Sequence, residues 1–146
     1  MADEKIPIFR FLAGIAVPLL GAISKMRLSG TENVPQSGAF VLTPNHFSEI
    51  DPIVIGVAMW KVGRMPRYLA KASMFKVPVL GWIMRTSGQI PVDRAGRGAD
   101  PLAAAKHIAE TGSAVIVYPE GTLTREPDLW PMRGKSGAVR LSLIHI

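Results

Sequence analysis

The chain has 146 residues, 48% of them hydrophobic and 19% charged, with a formal net charge of +6. That length suits one compact domain with its own core, and the mixed-sign charge argues against a disordered polymer. Cysteine is absent, which excludes disulfides, thiolate metal sites and cysteine nucleophiles.

Residues 6–23, IPIFRFLAGIAVPLLGAI, carry Arg10 as their one charge, and Pro7, Gly14, Pro18 and Gly21 punctuate the run. Asp3 and Glu4 weaken any reading as a secretory leader. The pattern predicts an interfacial helix or a broken helix pair, with Arg10, Lys25 and Arg27 at headgroup depth; a buried core helix stays open as the alternative.

After this segment strand and helix signals alternate, the pattern of an α/β domain. MRLSG (26–30) and AFVLT (39–43) read as strands around the turn-rich TENVPQSG. Asp51-Pro52 reads as a helix start, with the carboxylate at the N-cap, followed by the apolar body IVIGVAMW. RYLAK reads as a strand, VLGWIMRTSG as a helix closing at Gly88, and QIPV as a strand leading into Asp93 and Arg94. DPLAAAKHIAETG repeats the Asp-Pro start and ends at Gly112. SAVIVYP is a continuously apolar strand that delivers PEGT (119–122) at its carboxyl end, where ligands bind in open α/β sheets.

Several familiar loops are excluded. Gly134-Lys135-Ser136 has Leu129 where a nucleotide-binding P-loop needs glycine, Gly96-Arg97-Gly98 has Pro101 where a dinucleotide fingerprint needs one, and neither Ser48 nor Ser136 sits in a G-x-S-x-G elbow. His46, His107 and His145 have no zinc-ligand spacing, so no metal and no cofactor is expected. The basic excess concentrates in residues 61–97, at Lys61, Arg64, Arg67, Lys71, Lys76, Arg85, Arg94 and Arg97. Such a stretch favours phosphates, whether of a small substrate, an anionic membrane or nucleic acid, and equally fits a solvated face. Trp60, Tyr68 and Trp82 are too few aromatics for a nucleic-acid surface, and no nucleic-acid motif is present.

TPNHFSEID (43–51) sets His46 five residues before Asp51. A carboxylate on Nδ1–H fixes the imidazole tautomer and leaves Nε2 free to take a proton, the arrangement of a general base. The spacing alone fits a surface histidine beside a helix-capping aspartate just as well. GQIPVDR places Arg94 past a strand end, where a guanidinium can grip phosphate, and YPEGT places Glu120 beside Gly121 in a tight turn. Separately, each is also an ordinary salt-bridging arginine or an ordinary turn.

Together NHFSEID, GQIPVDR and YPEGT, in that order, resemble the blocks of the glycerolipid acyltransferases, the 1-acylglycerol-3-phosphate acyltransferase family, and AKASMFKVPVLGWIMRTSG extends the likeness over most of residues 26–140. The resemblance implies a glycerol-3-phosphate acyltransferase-like α/β fold, a mixed sheet flanked by helices, with residues 1–25 as a membrane-interface helix and 26–146 as the acyltransferase domain. It implies acyl transfer from acyl-CoA or acyl-carrier protein to the hydroxyl of lysophosphatidic acid, with His46 as base and Asp51 as its orienting partner. By the same resemblance Arg94 grips the acceptor phosphate, Glu120, Gly121 and Thr122 shape the acceptor site, Lys71 and Arg125 add positive field, and Asn45 and Ser48 order the loop. An anionic membrane is the implied partner, and the cytoplasmic face of the cell membrane the implied location, held peripherally or monotopically. Transfer to glycerol-3-phosphate or another lysophospholipid, and a noncatalytic lipid-binding module, are the alternatives.

The sequence departs from the family in two places. Leu123 stands where the third block commonly has arginine, the next one being Arg125. The chain also stops at LSLIHI where the family continues with a further apolar strand; these six residues resemble a translated sequencing adapter, so a domain incomplete at its C-terminus is expected.

Overall fold

Four of the five expected strands form, and the fifth does not. The computed structural model describes residues 7–92 and 101–143. In chain order its elements are α1 (Pro7–Ile23), β1 (Phe40–Leu42), α2 (Asp51–Lys61), β2 (Arg67–Lys71), α3 (Pro78–Thr86), β3 (Ile90–Val92), α4 (Pro101–Thr111), β4 (Ala114–Ile116) and α5 (Gly137–Leu143). Single 3₁₀ turns at Thr31–Asn33 and Ala72–Lys76 fill two connections. Asp93, Arg94, Arg97, Asp100 and the terminal 144–146 lie outside the described residues.

The strands lie in the order β1-β4-β2-β3, and every described pairing is parallel. No antiparallel strand that would make the sheet mixed is seen among the described residues. Parallel neighbours require crossovers, which explains why a helix separates each strand from the next through β4.

β4 lies between β1 and β2, and Ala114, Val115 and Ile116 are all buried. Its residues alternate between two apolar layers. Ala114 and Ile116 pack with Met59 of α2, edged by Phe40, Leu42, Ile55, Tyr68 and Tyr118. Val115 faces the other way, onto Ile108 of α4 and Ile90. A strand buried on both faces tolerates no polar position, hence its unbroken apolar sequence.

MRLSG is not a strand. Residues 24–30 are almost wholly exposed, pair with no described strand, and end at Gly30 in the left-handed region (φ 73°) ahead of the first 3₁₀ turn. Without a ladder partner or a buried face, apolar alternation over three residues does not suffice.

The N-terminal segment is one helix, continuous through Pro18, with Phe9 and Leu20 buried and Phe11, Ile15, Leu19 and Ile23 exposed. No described helix is long and apolar enough to cross a membrane.

Arg64 changes the meaning of the basic stretch. Its side chain is 2% exposed; Nη1–H donates to the carbonyl of Pro35 (2.5 Å), and Nη2–H donates to those of Gly38 (2.8 Å) and Gly112 (2.9 Å). The guanidinium also lies 4.9 Å from the Phe40 ring centroid. Arg85 likewise donates to the Phe75 carbonyl at 2.7 Å. Two of the cations counted above as candidate phosphate ligands thus hold backbone carbonyls.

Candidate active site

The site follows from the sheet. β1 and β4 are parallel neighbours in register Leu42↔Ile116, and the Val117 amide extends the ladder by donating to the Leu42 carbonyl at 2.9 Å. Loops leaving the carboxyl ends of adjacent parallel strands must lie side by side. One of them carries Asn45, His46 and Ser48; the other carries Pro119, Glu120, Gly121 and Thr122.

His46 and Asp51 meet: Nδ1 is 3.0 Å from Asp51 Oδ2. The same oxygen accepts the backbone N–H of Phe47 (2.8 Å) and of Ser48 (2.9 Å). A buried oxygen already taking two N–H donors is an acceptor towards the ring as well, which places the proton on Nδ1 and leaves Nε2 as the basic nitrogen. Nε2 has no hydrogen-bond partner among the described residues.

Asp51 was expected to cap its own helix, and it does not. It is the first residue of α2, with Ile50 at the N-cap and no side-chain capping bond. The carboxylate turns back and closes the loop that bears His46, so Asp-Pro here orders the residues before the helix rather than the first turn after it.

Glu120 is buried, and its two oxygens serve two loops. Oε1 accepts the His46 N–H at 3.2 Å, while Oε2 accepts the Met132 N–H at 3.0 Å. It therefore supports the histidine's backbone and is not among the residues lining the cavity. Asn45 acts in parallel: its Nδ2–H donates to the Leu129 carbonyl (3.1 Å), and its Oδ1 accepts the His46 N–H (3.0 Å). Ser48 Oγ accepts the Ile50 N–H at 3.3 Å, and the Thr124 N–H donates to the His46 carbonyl at 2.6 Å. The histidine's main chain is thus held on its N–H by two side chains and on its carbonyl by the Thr124 amide.

A cavity of about 570 Å³ opens beside the imidazole, lined among others by His46, Tyr118, Gly121, Thr122, Leu123 and Lys135. Gly121 has a left-handed backbone (φ 71°), and a Cβ at that position would stand 3.0 Å from Lys135 Nζ, so the lysine side chain passes over it. Leu123, in the arginine position of the third block, lines this cavity, whereas Arg125 and Lys71 are exposed residues that do not. Arg94 lies outside the described residues. No described group of His, Asp or Glu could hold a metal ion.

Two contributors were not singled out from sequence. Tyr118 stacks on the imidazole, with ring centroids 4.0 Å apart and planes at 25°. Burial, with the Asp51 carboxylate adding to it, raises the Tyr118 phenol well above its ordinary range, and its hydroxyl has no hydrogen-bond partner among the described residues. The signal was its place immediately before P-E-G, on the buried strand's exit. Lys135 lay inside the G-K-S that fails as a P-loop.

Residues 25–144 match the sequence profile of a family described as Acyltransferase. The chain belongs to the acyltransferase family. This family member is 29% identical over 121 residues to the chloroplastic 1-acyl-sn-glycerol-3-phosphate acyltransferase of Brassica napus, covering 81% of the chain and 33% of that relative. It is 30% identical over 120 residues to the 1-acyl-sn-glycerol-3-phosphate acyltransferase of Saccharomyces cerevisiae, covering 80% and 38% respectively. To the protein of the same name in Borreliella burgdorferi it is 26% identical over 133 residues, 90% of the chain and 51% of the relative. The chain thus spans between about a third and a half of these relatives. No solved structure matches it.

Proposed function

We propose that this acyltransferase moves a fatty acyl group from an acyl thioester, of coenzyme A or acyl-carrier protein, to the free hydroxyl of lysophosphatidic acid at a membrane surface. The observation that carries the reading is the 3.0 Å contact of His46 Nδ1 with Asp51, beside a cavity that the imidazole itself lines.

The chemistry needs no acyl-enzyme. Nε2 of His46 takes the proton as the acceptor oxygen attacks the thioester carbonyl. The tetrahedral intermediate collapses, the C–S bond breaks, and the thiolate recovers the proton from the imidazolium. Asp51 stabilises that imidazolium, and its fixed position keeps Nε2 towards the substrate. The names of the relatives supply the acceptor.

The exposed stripe Phe11, Ile15, Leu19 and Ile23, spaced four apart on α1, is the surface by which the chain would rest on lipid, with Arg10, Lys25 and Arg27 exposed near it. α1 packs on α2, the helix that begins at Asp51, and Phe47, Ile50 and Ile53 are exposed apolar residues at that same entrance. A membrane-bound acyl chain would therefore reach the histidine across apolar surface.

The test is thioester consumption by the chain with lysophosphatidic acid in anionic vesicles. Transfer should occur and be abolished in His46→Ala, with the circular dichroism spectrum unchanged. Transfer retained by that variant removes His46 from the mechanism. Vesicle binding without any turnover assigns a noncatalytic lipid-binding module, and preference for glycerol-3-phosphate in an acceptor panel replaces the acceptor.

A further inference from the structure

We infer that Lys135 supplies the positive charge that holds the acceptor's phosphate, in place of the arginine that Leu123 displaces. This rests on the acyl-transfer reading above and assigns that site a specificity residue.

Of the described residues lining the cavity beside His46, Lys135 is the one cation. Its backbone N–H donates to the Pro119 carbonyl at 2.8 Å, which ties this residue to the loop that follows β4 even though the two are sixteen positions apart. Its side chain crosses Gly121, the residue without the Cβ that would crowd the ammonium. The lysine is thus laid over the glycine turn of the third block. Leu123 offers the cavity an apolar wall, and neither Arg125 nor Lys71 reaches its lining.

Among the described residues Lys135 makes no ion pair. Glu49 also lines the cavity and is exposed, and it does not pair with the lysine. An ammonium with no carboxylate partner among the described residues, lining the same cavity as the imidazole, is suited to a phosphomonoester whose hydroxyl lies one short glycerol away. A lysine serves as a point charge that tolerates different phosphate orientations, whereas an arginine would impose a bidentate geometry.

Two measurements test this. In steady-state acyl transfer, Lys135→Met should raise KM for lysophosphatidic acid roughly tenfold to a hundredfold, the range for losing a hydrogen bond to a charged group. The donor KM should stay put, and Lys135→Arg should recover most of the loss. A binding readout needs no turnover: titration of tryptophan fluorescence with a short-chain lysophosphatidic acid should weaken by the same factor in Lys135→Met, while titration with the matching uncharged monoacylglycerol should not change. A rise in donor KM instead would assign the lysine to the phosphates of the donor and overturn the inference. Equal weakening towards both lipids, or none towards either, would also overturn it. A wild-type chain that binds lysophosphatidic acid through Lys135 but transfers nothing would sink the catalytic reading and leave the phosphate site standing.

Discussion

The phenol ring of Tyr118 lies almost parallel to the imidazole of His46, 4.0 Å away. One ring comes from the exit of the central strand and the other from the loop after its neighbour, so the stack joins the two halves of the site. With Nδ1 held by Asp51 and one face covered by Tyr118, the imidazole has little rotational freedom left. Tyr118→Phe keeps the stack and should retain kcat within about threefold, while Tyr118→Leu should lower kcat roughly 10- to 100-fold with a smaller change in KM. Equal activity of the Phe and Leu variants would show that the stack does not position the imidazole.

Asp51→Asn tests the carboxylate itself. The amide oxygen can still accept from the Phe47 and Ser48 amides, so the loop should hold its shape. It cannot stabilise an imidazolium, and kcat should fall roughly a thousandfold or more, with the melting temperature lowered by only a few degrees. A small loss in kcat would mean that proton transfer does not depend on this pair.

Glu120 predicts a different signature, because it binds main chain on both sides. Glu120→Ala leaves the Met132 amide without its acceptor and the His46 amide with Asn45 Oδ1 alone, and should cost about 1–3 kcal/mol in urea unfolding, along with activity. Glu120→Gln retains one acceptor oxygen and should lie between. Full stability in the Ala variant would contradict the bridging role.

Gly81 tests the fold away from the site. A Cβ there would collide with the Phe75 carbonyl oxygen, a backbone atom that cannot swing aside. Gly81→Ala should therefore destabilise the chain by about 1–3 kcal/mol, the usual cost of overpacking, despite alanine's better helix propensity. A neutral or stabilising result in denaturant melts would place α3 differently.

The buried Tyr68 hydroxyl donates to the Pro52 carbonyl at 2.6 Å, and burial, reinforced by Tyr118, raises its pKa far above the ordinary 10.0. In the unfolded chain the phenol ionises near its ordinary value, whereas in the folded chain it stays protonated. Stability from this group is thus complete at neutral pH and should decline as pH rises above about 10. Urea melts at pH 8 and pH 10.5 should show a drop that is smaller in Tyr68→Phe; an equal drop in both would assign alkaline loss elsewhere.

Much of this was legible in the sequence because parallel sheets write plainly. AVI is apolar throughout since β4 has no solvent face, and PEGT follows it at the strand end where sites form. RYLAK matches β2 residue for residue. His46 and Asp51 could be paired once their spacing was read together with the GQIPVDR and YPEGT blocks, since the spacing alone fits a helix cap equally well. Other features turned on three-dimensional partners that local pattern does not encode. MRLSG alternates like a strand but has no neighbour to pair with. Asp51 looks like a helix cap, yet the backward-facing amides of Phe47 and Ser48 claim its carboxylate. Arg64 counts as surface charge until the carbonyls of three distant residues are seen around it, and Lys135 joins the cavity lining from a backbone bonded to Pro119, sixteen positions away.

Arg64 has one more effect. Gly38 and Gly112, two of its acceptors, stand just ahead of β1 and β4, the strands whose far ends carry His46 and Tyr118. A guanidinium that grips both entrances sets the offset between these ribbons, and a slip of one residue would turn every side chain on the slipped strand to the opposite face. The alignment of imidazole and stacking ring is therefore supported from the amino ends of these strands, by a buried charge that does not line the cavity.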